Sequence, residues 1–189
     1  MRIRSPITRT GSSGRIFEIR TRRAEFEQKA HVPRDMVDRL RANINWDQAE
    51  EVTFECEPGT LSETKVKTLK ELGITRLSLG IENFADDVLK ENGRAHLSAE
   101  IYKCWDWIQE AEFPNVNIDL ISGMVGESWE NWKLNIRRTI ELSPESVTIY
   151  QMELPYNTVY SSDILGNQVE IDVADWPTKR KWVDYAFTE

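Results

Sequence analysis

Four acids are placed where chemistry could gather on them: Glu55, Glu57, Glu82 and Asp119, each towards the end of a run in which apolar and polar residues alternate. Alternation sends successive side chains to opposite faces of a strand. Thr53, Glu55 and Glu57 therefore oppose Val52, Phe54 and Cys56. In the same way Ser78, Gly80 and Glu82 oppose Leu77, Leu79 and Ile81, and Asn117 and Asp119 oppose Ile118 and Leu120. Carboxylates in such a row accept hydrogen bonds from hydroxyl and ammonium groups. Glu55, Glu82 and Asp119 with His96 could instead hold a divalent ion, Mg or Mn rather than Zn. The competing assignment makes the acids solvated strand ends or ion-pair partners of Arg76 and Arg94. His31 and His96 each stand alone, and His96 is expected at the surface.

Other candidates are weaker. Cys56 and Cys104 are the two cysteines, too far apart for a Cys-x2-Cys site. Both fall on apolar faces and are expected in the core. Gly123-Met124-Val125-Gly126 could cradle a phosphate at a helix start, although no Lys follows and an ordinary turn fits the same residues.

The elements that must position these residues follow from periodicity. Helices are predicted over Asp35–Ala42, from the Ser62 cap to Gly73, and as a short turn over Asp86–Lys90 ending near Gly93. Ser98 is expected to cap a helix with Ile101, Cys104, Trp105 and Ile108 inward. Another from Ser128 is expected to bury Trp129, Trp132, Ile136 and Ile140. A last helix, with Pro177 in its first turn, would bury Trp182, Val183, Ala186 and Phe187. If a following segment is missing, Trp176 and Trp182 would form an exposed patch. Strands are predicted at Val52–Glu57, Arg76–Glu82, Val116–Ile121 and Val147–Met152, the last stopped by Pro155. Strand and helix alternate with a period of roughly 30 residues, which predicts βαβ units and a parallel sheet. Sheets covered by helices on both faces read as continuous apolar runs. Here each strand has one apolar and one polar face, so the prediction is a partial (β/α) barrel, with its site at the carboxyl ends of the strands.

The motifs carry a resemblance. Glu55-Cys56-Glu57-Pro58-Gly59-Thr60-Leu61, Arg76 to Phe84, Asn92-Gly93-Arg94, Asn117 to Gly123 and Ser146 to Gln151 follow the order and spacing of radical S-adenosylmethionine (SAM) enzymes. They resemble the group of the oxygen-independent coproporphyrinogen III oxidase. The resemblance covers roughly residues 35–187. It implies a partial α/β barrel that binds SAM, cleaves it reductively at a [4Fe–4S] cluster, and abstracts hydrogen from a tetrapyrrole, decarboxylating its propionates. It also implies roles: Glu55 at the methionine amino group, Arg94 near the SAM carboxylate or ribose, Asp119 at the ribose or nearby polar groups. Glu82 stands where the oxidase has Gln, so it accepts but does not donate when ionised. The family's cluster loop, Cys-x3-Cys-x2-Cys, is missing from this sequence, as is its Gly-Gly-Thr-Pro stretch. Radical chemistry by this chain alone is therefore not expected. The alternatives within the resemblance are a non-catalytic SAM- or haem-binding barrel and a radical SAM methyltransferase.

Composition bounds the rest. The net charge of −8 divides into +5 over residues 1–29 and −13 over the remainder. Residues 1–33 read as a basic leader, including the poorly packing Arg9–Gly14 stretch, and 34–189 as the barrel domain, incomplete at its start and ending without a helix stop signal. An acidic body argues against a nucleic-acid partner. No apolar run approaches ~18 residues, so no membrane span is expected. Two cysteines and no export signal fit the cytoplasm.

Overall fold

The computed structural model describes residues 15–19, 34–153 and 173–189. His31, the Arg9–Gly14 stretch and the Pro155 stop lie outside the described residues. The element order is β1 (Arg15–Ile19), α1 (Arg34–Asn43), β2 (Ala49–Cys56), α2 (Glu63–Glu71), β3 (Arg76–Glu82), α3 (Asp86–Glu91), α4 (Ser98–Glu110), β4 (Asn115–Ser122), α5 (Trp129–Leu142), β5 (Ser146–Gln151) and α6 (Trp176–Thr188). The strands hydrogen-bond in chain order, β1-β2-β3-β4-β5. β1 runs parallel to β2, with Phe17 opposite Val52, so regular pairing begins within the span read as a leader. β2 runs parallel to β3, with Glu55 opposite Ser78 and Cys56 opposite Leu79. An order that never reverses turns every right-handed crossover the same way, which accounts for the one-sided apolar pattern. Among the described residues no helix is long and apolar enough to cross a membrane.

The chain forms two compact units, Met1–Gly80 with Ala99–Asn117, and Ile81–Ser98 with Ile118–Glu189. In the first, Val52, Phe54, Leu77 and Leu79 are buried together with Val66 and Leu69 of α2 and Ile101, Cys104 and Ile108 of α4. Each fully buried aliphatic or aromatic side chain contributes about 1.5–3 kcal/mol. Ser62 caps α2 by accepting from the Lys65 N–H at 3.3 Å. Lys65 is itself buried and donates from Nζ to the Thr60 carbonyl at 2.6 Å, tying α2 to the turn after β2.

In the second unit the core holds Ile81, Leu89, Ile118, Leu120, Trp132 and Trp182. The Trp132 and Trp182 rings stack at 6.3 Å, and Trp132 Nε1–H donates to the Trp182 carbonyl at 2.7 Å. Trp129 meets Tyr185 edge-on at 5.0 Å. α5 and α6 are thus joined through aromatic contacts that also satisfy a buried indole N–H.

Several expectations of burial fail here. Ile140 is 54 % exposed, because a stripe stepped by four residues drifts round the helix and the inward positions go to Asn135 and Thr139. Phe187, near the end of α6, is 80 % exposed, while Val183 and Ala186 are half-buried. Val147 on β5 is exposed too. Trp176 is exposed but Trp182 is buried, so the two do not form a patch. Ser98 is the first residue of α4, and its N–H is taken by Asp86 Oδ1 at 2.8 Å.

The α6 side chain Lys179 is buried and donates to the Met152 carbonyl at 2.7 Å, with its stem across Gly123. A Cβ at Gly123 would lie 2.5 Å from Lys179 Cε, on a backbone with φ of +82°. Gly123→Ala is therefore expected to destabilise the chain by about 2 kcal/mol, combining overpacking with left-handed strain. Denaturant titration checks this, and a loss of only a few tenths would contradict it.

Candidate functional site

In the first unit, Glu55 lies half-buried near the carboxyl end of β2. Glu57 follows it, and its carbonyl accepts the Thr60 hydroxyl at 2.9 Å. On the neighbouring strand, Asn117 Nδ2 donates to Ser78 Oγ at 3.0 Å, a buried polar pair on the face where the alternation predicted one. Arg76 pairs with Glu51 of β2 at 3.7 Å.

In the second unit, the last residue of β3 departs from strand geometry. Glu82 has φ of +66°, and the Asn83 N–H donates back to the Ile81 carbonyl at 2.8 Å. This is a γ-turn of the rare, strained kind, with a non-glycine residue at its centre. Such strain costs about 1–3 kcal/mol and persists only where neighbours over-determine it. The neighbours are visible. His96, buried rather than at the surface, donates from Nε2 to the same Ile81 carbonyl at 3.0 Å. Asn83 Oδ1 accepts the Ala85 N–H at 2.9 Å, and Asn135 Oδ1 accepts the Phe84 N–H at 2.9 Å.

The turn presents the Glu82 carboxylate to Arg94, whose Nε forms an ion pair with Oε2. Arg94 is placed by the end of α3. Gly93, at φ of +66°, returns its N–H to Lys90, and the Arg94 N–H reaches the Leu89 carbonyl at 2.9 Å. These two bonds make a Schellman closure, which needs a left-handed residue where Gly93 stands. Asn92-Gly93-Arg94 thus reads as a stop signal that also aims a guanidinium. Asp119 lies half-buried on β4 in the same unit. Of the predicted site residues, Glu82 and Arg94 are brought into direct contact.

Sequence reasoning missed the residue at the centre of this unit. Glu127 is buried, 6 % exposed, and both its oxygens accept. Oε2 takes the Gly123 and Met124 N–H groups at 2.6 and 3.1 Å. Oε1 takes Asn83 Nδ2 and Asn135 Nδ2, each at 2.9 Å. Burial pushes its carboxyl up to about 7, against the pull of these four donors. The Gly123–Gly126 turn therefore has two N–H groups aimed at an anion, and that anion is the chain's own carboxylate. No local signal marks Glu127, since its partner Asn83 stands 44 positions away and the inward placement of Asn135 is seen only in the fold.

The cysteines do not fit a cluster. Cys56 is buried, with Sγ 3.5 Å from the Ser78 carbonyl. Burial, with a smaller contribution from Asp106, pushes the Cys104 thiol up to about 12, far from the thiolate a metal needs. Among the described residues no three of His, Cys, Asp and Glu converge to hold a metal, so the divalent-ion arrangement of Glu55, Glu82, Asp119 and His96 is not formed.

Comparison with known proteins agrees with this geometry. The Radical SAM superfamily matches residues 26–138, which hold β2, β3 and β4 and with them Glu55, Glu82, Arg94 and Asp119. The heme chaperone HemW of Lactococcus lactis is 31% identical over 121 residues, covering 64% of this chain and 32% of the relative. The oxygen-independent coproporphyrinogen III oxidase of Synechocystis is 29% identical over 100 residues, covering 53% and 22%. The solved coproporphyrinogen III oxidase HemN of Escherichia coli, a radical SAM enzyme, superposes with a TM-score of 0.68 at 21% identity, over 82% of this chain and 35% of that one. The chain thus spans about a third of the length of relatives such as HemW of Lactococcus lactis. The strand order, the one-sided polar pattern and the matched span agree, and the chain belongs to the radical SAM superfamily.

Proposed function

We propose that this chain binds SAM through its strand-end acids and Arg94, as the SAM-holding portion of a protein acting on tetrapyrroles. The observation that carries the reading is the strained turn that presents Glu82 to Arg94. The methionine end of SAM is a zwitterion and its ribose a diol. A guanidinium suits the carboxylate, and carboxylates suit the ammonium and hydroxyl groups. Arg94 would hold the carboxylate or ribose, Glu82 and Asp119 would accept from hydroxyls, and Glu55 would accept from the amino group. SAM in this family supplies the group that abstracts hydrogen. Three thiolates for a cluster are not found among the two cysteines of this sequence, so no step through a cluster is assigned to it. Relatives named as heme chaperones favour haem as a second ligand.

Calorimetric titration with SAM tests the reading. Saturable binding by the parent is expected, weakened at least about tenfold by Glu55→Ala or Arg94→Ala, a loss of roughly 1.4 kcal/mol. Parent protein that gives no heat with SAM but shifts the absorbance of added haemin would favour the second reading instead.

Glu82→Gly separates strain from ligand contact. Glycine within a strand ordinarily costs about 0.5–1 kcal/mol. Here the variant is expected to be at least as stable as the parent and to bind SAM at least about tenfold more weakly. A variant that is clearly less stable, or that binds SAM unchanged, would contradict the assignment. Anaerobic incubation with iron and sulfide is expected to leave the protein without iron–sulfur absorbance after desalting. Retained iron and sulfide in stoichiometric amounts would show that this chain holds a cluster after all.

A further inference from the structure

We propose that Glu127 is the positioning residue for Glu82, its two carboxylate oxygens holding the β3 turn in the conformation that presents the Glu82 acid. The proposal rests on the SAM-binding reading and adds to it a residue that acts on Glu82 through the backbone of the turn. The chain of contacts is short. Glu127 Oε1 accepts from Asn83 Nδ2, and the Asn83 N–H closes the γ-turn onto Ile81. The same Glu127 oxygen accepts from Asn135, whose Oδ1 holds the Phe84 N–H. Two consecutive residues after Glu82 are therefore fixed from one buried carboxylate.

The orientation of the two amides is not free. Asn83 Oδ1 is occupied by the Ala85 N–H and Asn135 Oδ1 by the Phe84 N–H, so both Nδ2 groups must face Glu127. Asn131 Oδ1 takes a further hydrogen of Asn83 Nδ2 at 3.0 Å. On the other oxygen the donors are the backbone N–H groups of Gly123 and Met124, which cannot reverse. Every group aimed at Glu127 is thus an N–H donor. Glutamine has nearly the same shape, but its NH2 must face two donors whichever way it is turned. The site requires a carboxylate, and the requirement is one of hydrogen-bond polarity rather than size.

Two measurements on the whole chain test this. The first is the nitrogen-15 signal of Arg94 Nε–H, which reports the ion pair with Glu82 and needs no ligand. Glu127→Gln is expected to shift or broaden it, and Glu127→Asp, which keeps two acceptor oxygens on a shorter stem, to perturb it less. If Glu127→Gln does not fold, Glu127→Asp alone decides: the signal must still move from its parental position. The second is a double-mutant cycle on SAM affinity. Glu127→Gln is expected to weaken SAM about tenfold in the parent and less than about twofold in a Glu82→Ala background. A merely structural Glu127 would cost the same in both backgrounds. An unmoved Arg94 signal in the folded variants, or equal losses in both arms of the cycle, overturns the proposal. If the parent does not bind SAM, the functional reading falls and the Arg94 signal still decides whether Glu127 positions Glu82.

Discussion

A buried carboxylate is tolerated only where donors replace the water it has lost, and in this chain four N–H groups do that for Glu127. They come from the loop after β4, from the turn after β3 and from α5. Satisfying one side chain therefore sets three segments of the second unit against each other. Removing an acceptor from such a network leaves buried donors unpaired, at about 1–3 kcal/mol each. That asymmetry explains why α5 keeps a polar residue, Asn135, on its inward side while Ile140 faces water. The apolar burial lost there is offset by a network that specifies one arrangement.

The same carboxylate closes the glycine loop as a ligand site. Adjacent backbone N–H groups form a concavity suited to an anion. Here the concavity is filled from within, three residues further along the chain. A phosphate could enter only by displacing Glu127 from two backbone donors and leaving its charge buried. Gly123 has a second duty, since the stem of Lys179 crosses the space where its Cβ would stand.

Much of this fold was legible in the sequence because its signals are local. β3 runs over Arg76–Glu82 as the alternation predicts, and the caps at Ser62 and Ser128 accept from the N–H three residues on. Glu82 and Arg94 were legible as residues, and their contact was legible as one of two outcomes. What was not legible depends on pairings distant in sequence. Asn83 and Glu127 are 44 positions apart, and each alone reads as an ordinary surface residue. His96 reads as exposed until the Ile81 carbonyl is seen to need a second donor. Ile140 and Phe187 were misplaced because periodicity ranks apolar residues and does not know which polar ones the core will take. β1 was missed because its pairing with β2 spans more than thirty residues of low apolar content.

The strain at Glu82 and the stiffness around it belong to one device. A positive φ at a non-glycine residue would relax if the flanking peptides were free. The Ile81 carbonyl is held by His96 and by the turn itself, and the next three backbone N–H groups are each bonded. The backbone is thus fixed from both sides, and none of these bonds is made by the carboxylate they display. That carboxylate is 15 % exposed, and its ion-pair partner Arg94 is 32 % exposed. A part-buried pair gains more from its charges than a surface pair does, but its desolvation costs more as well, so the ion pair alone does not account for the strained turn. A framework that holds the peptide rigid and sets its acid against one guanidinium has the form of a preorganised contact. For a ligand bearing hydroxyls and a charged end, that lowers the ordering cost at the moment of binding.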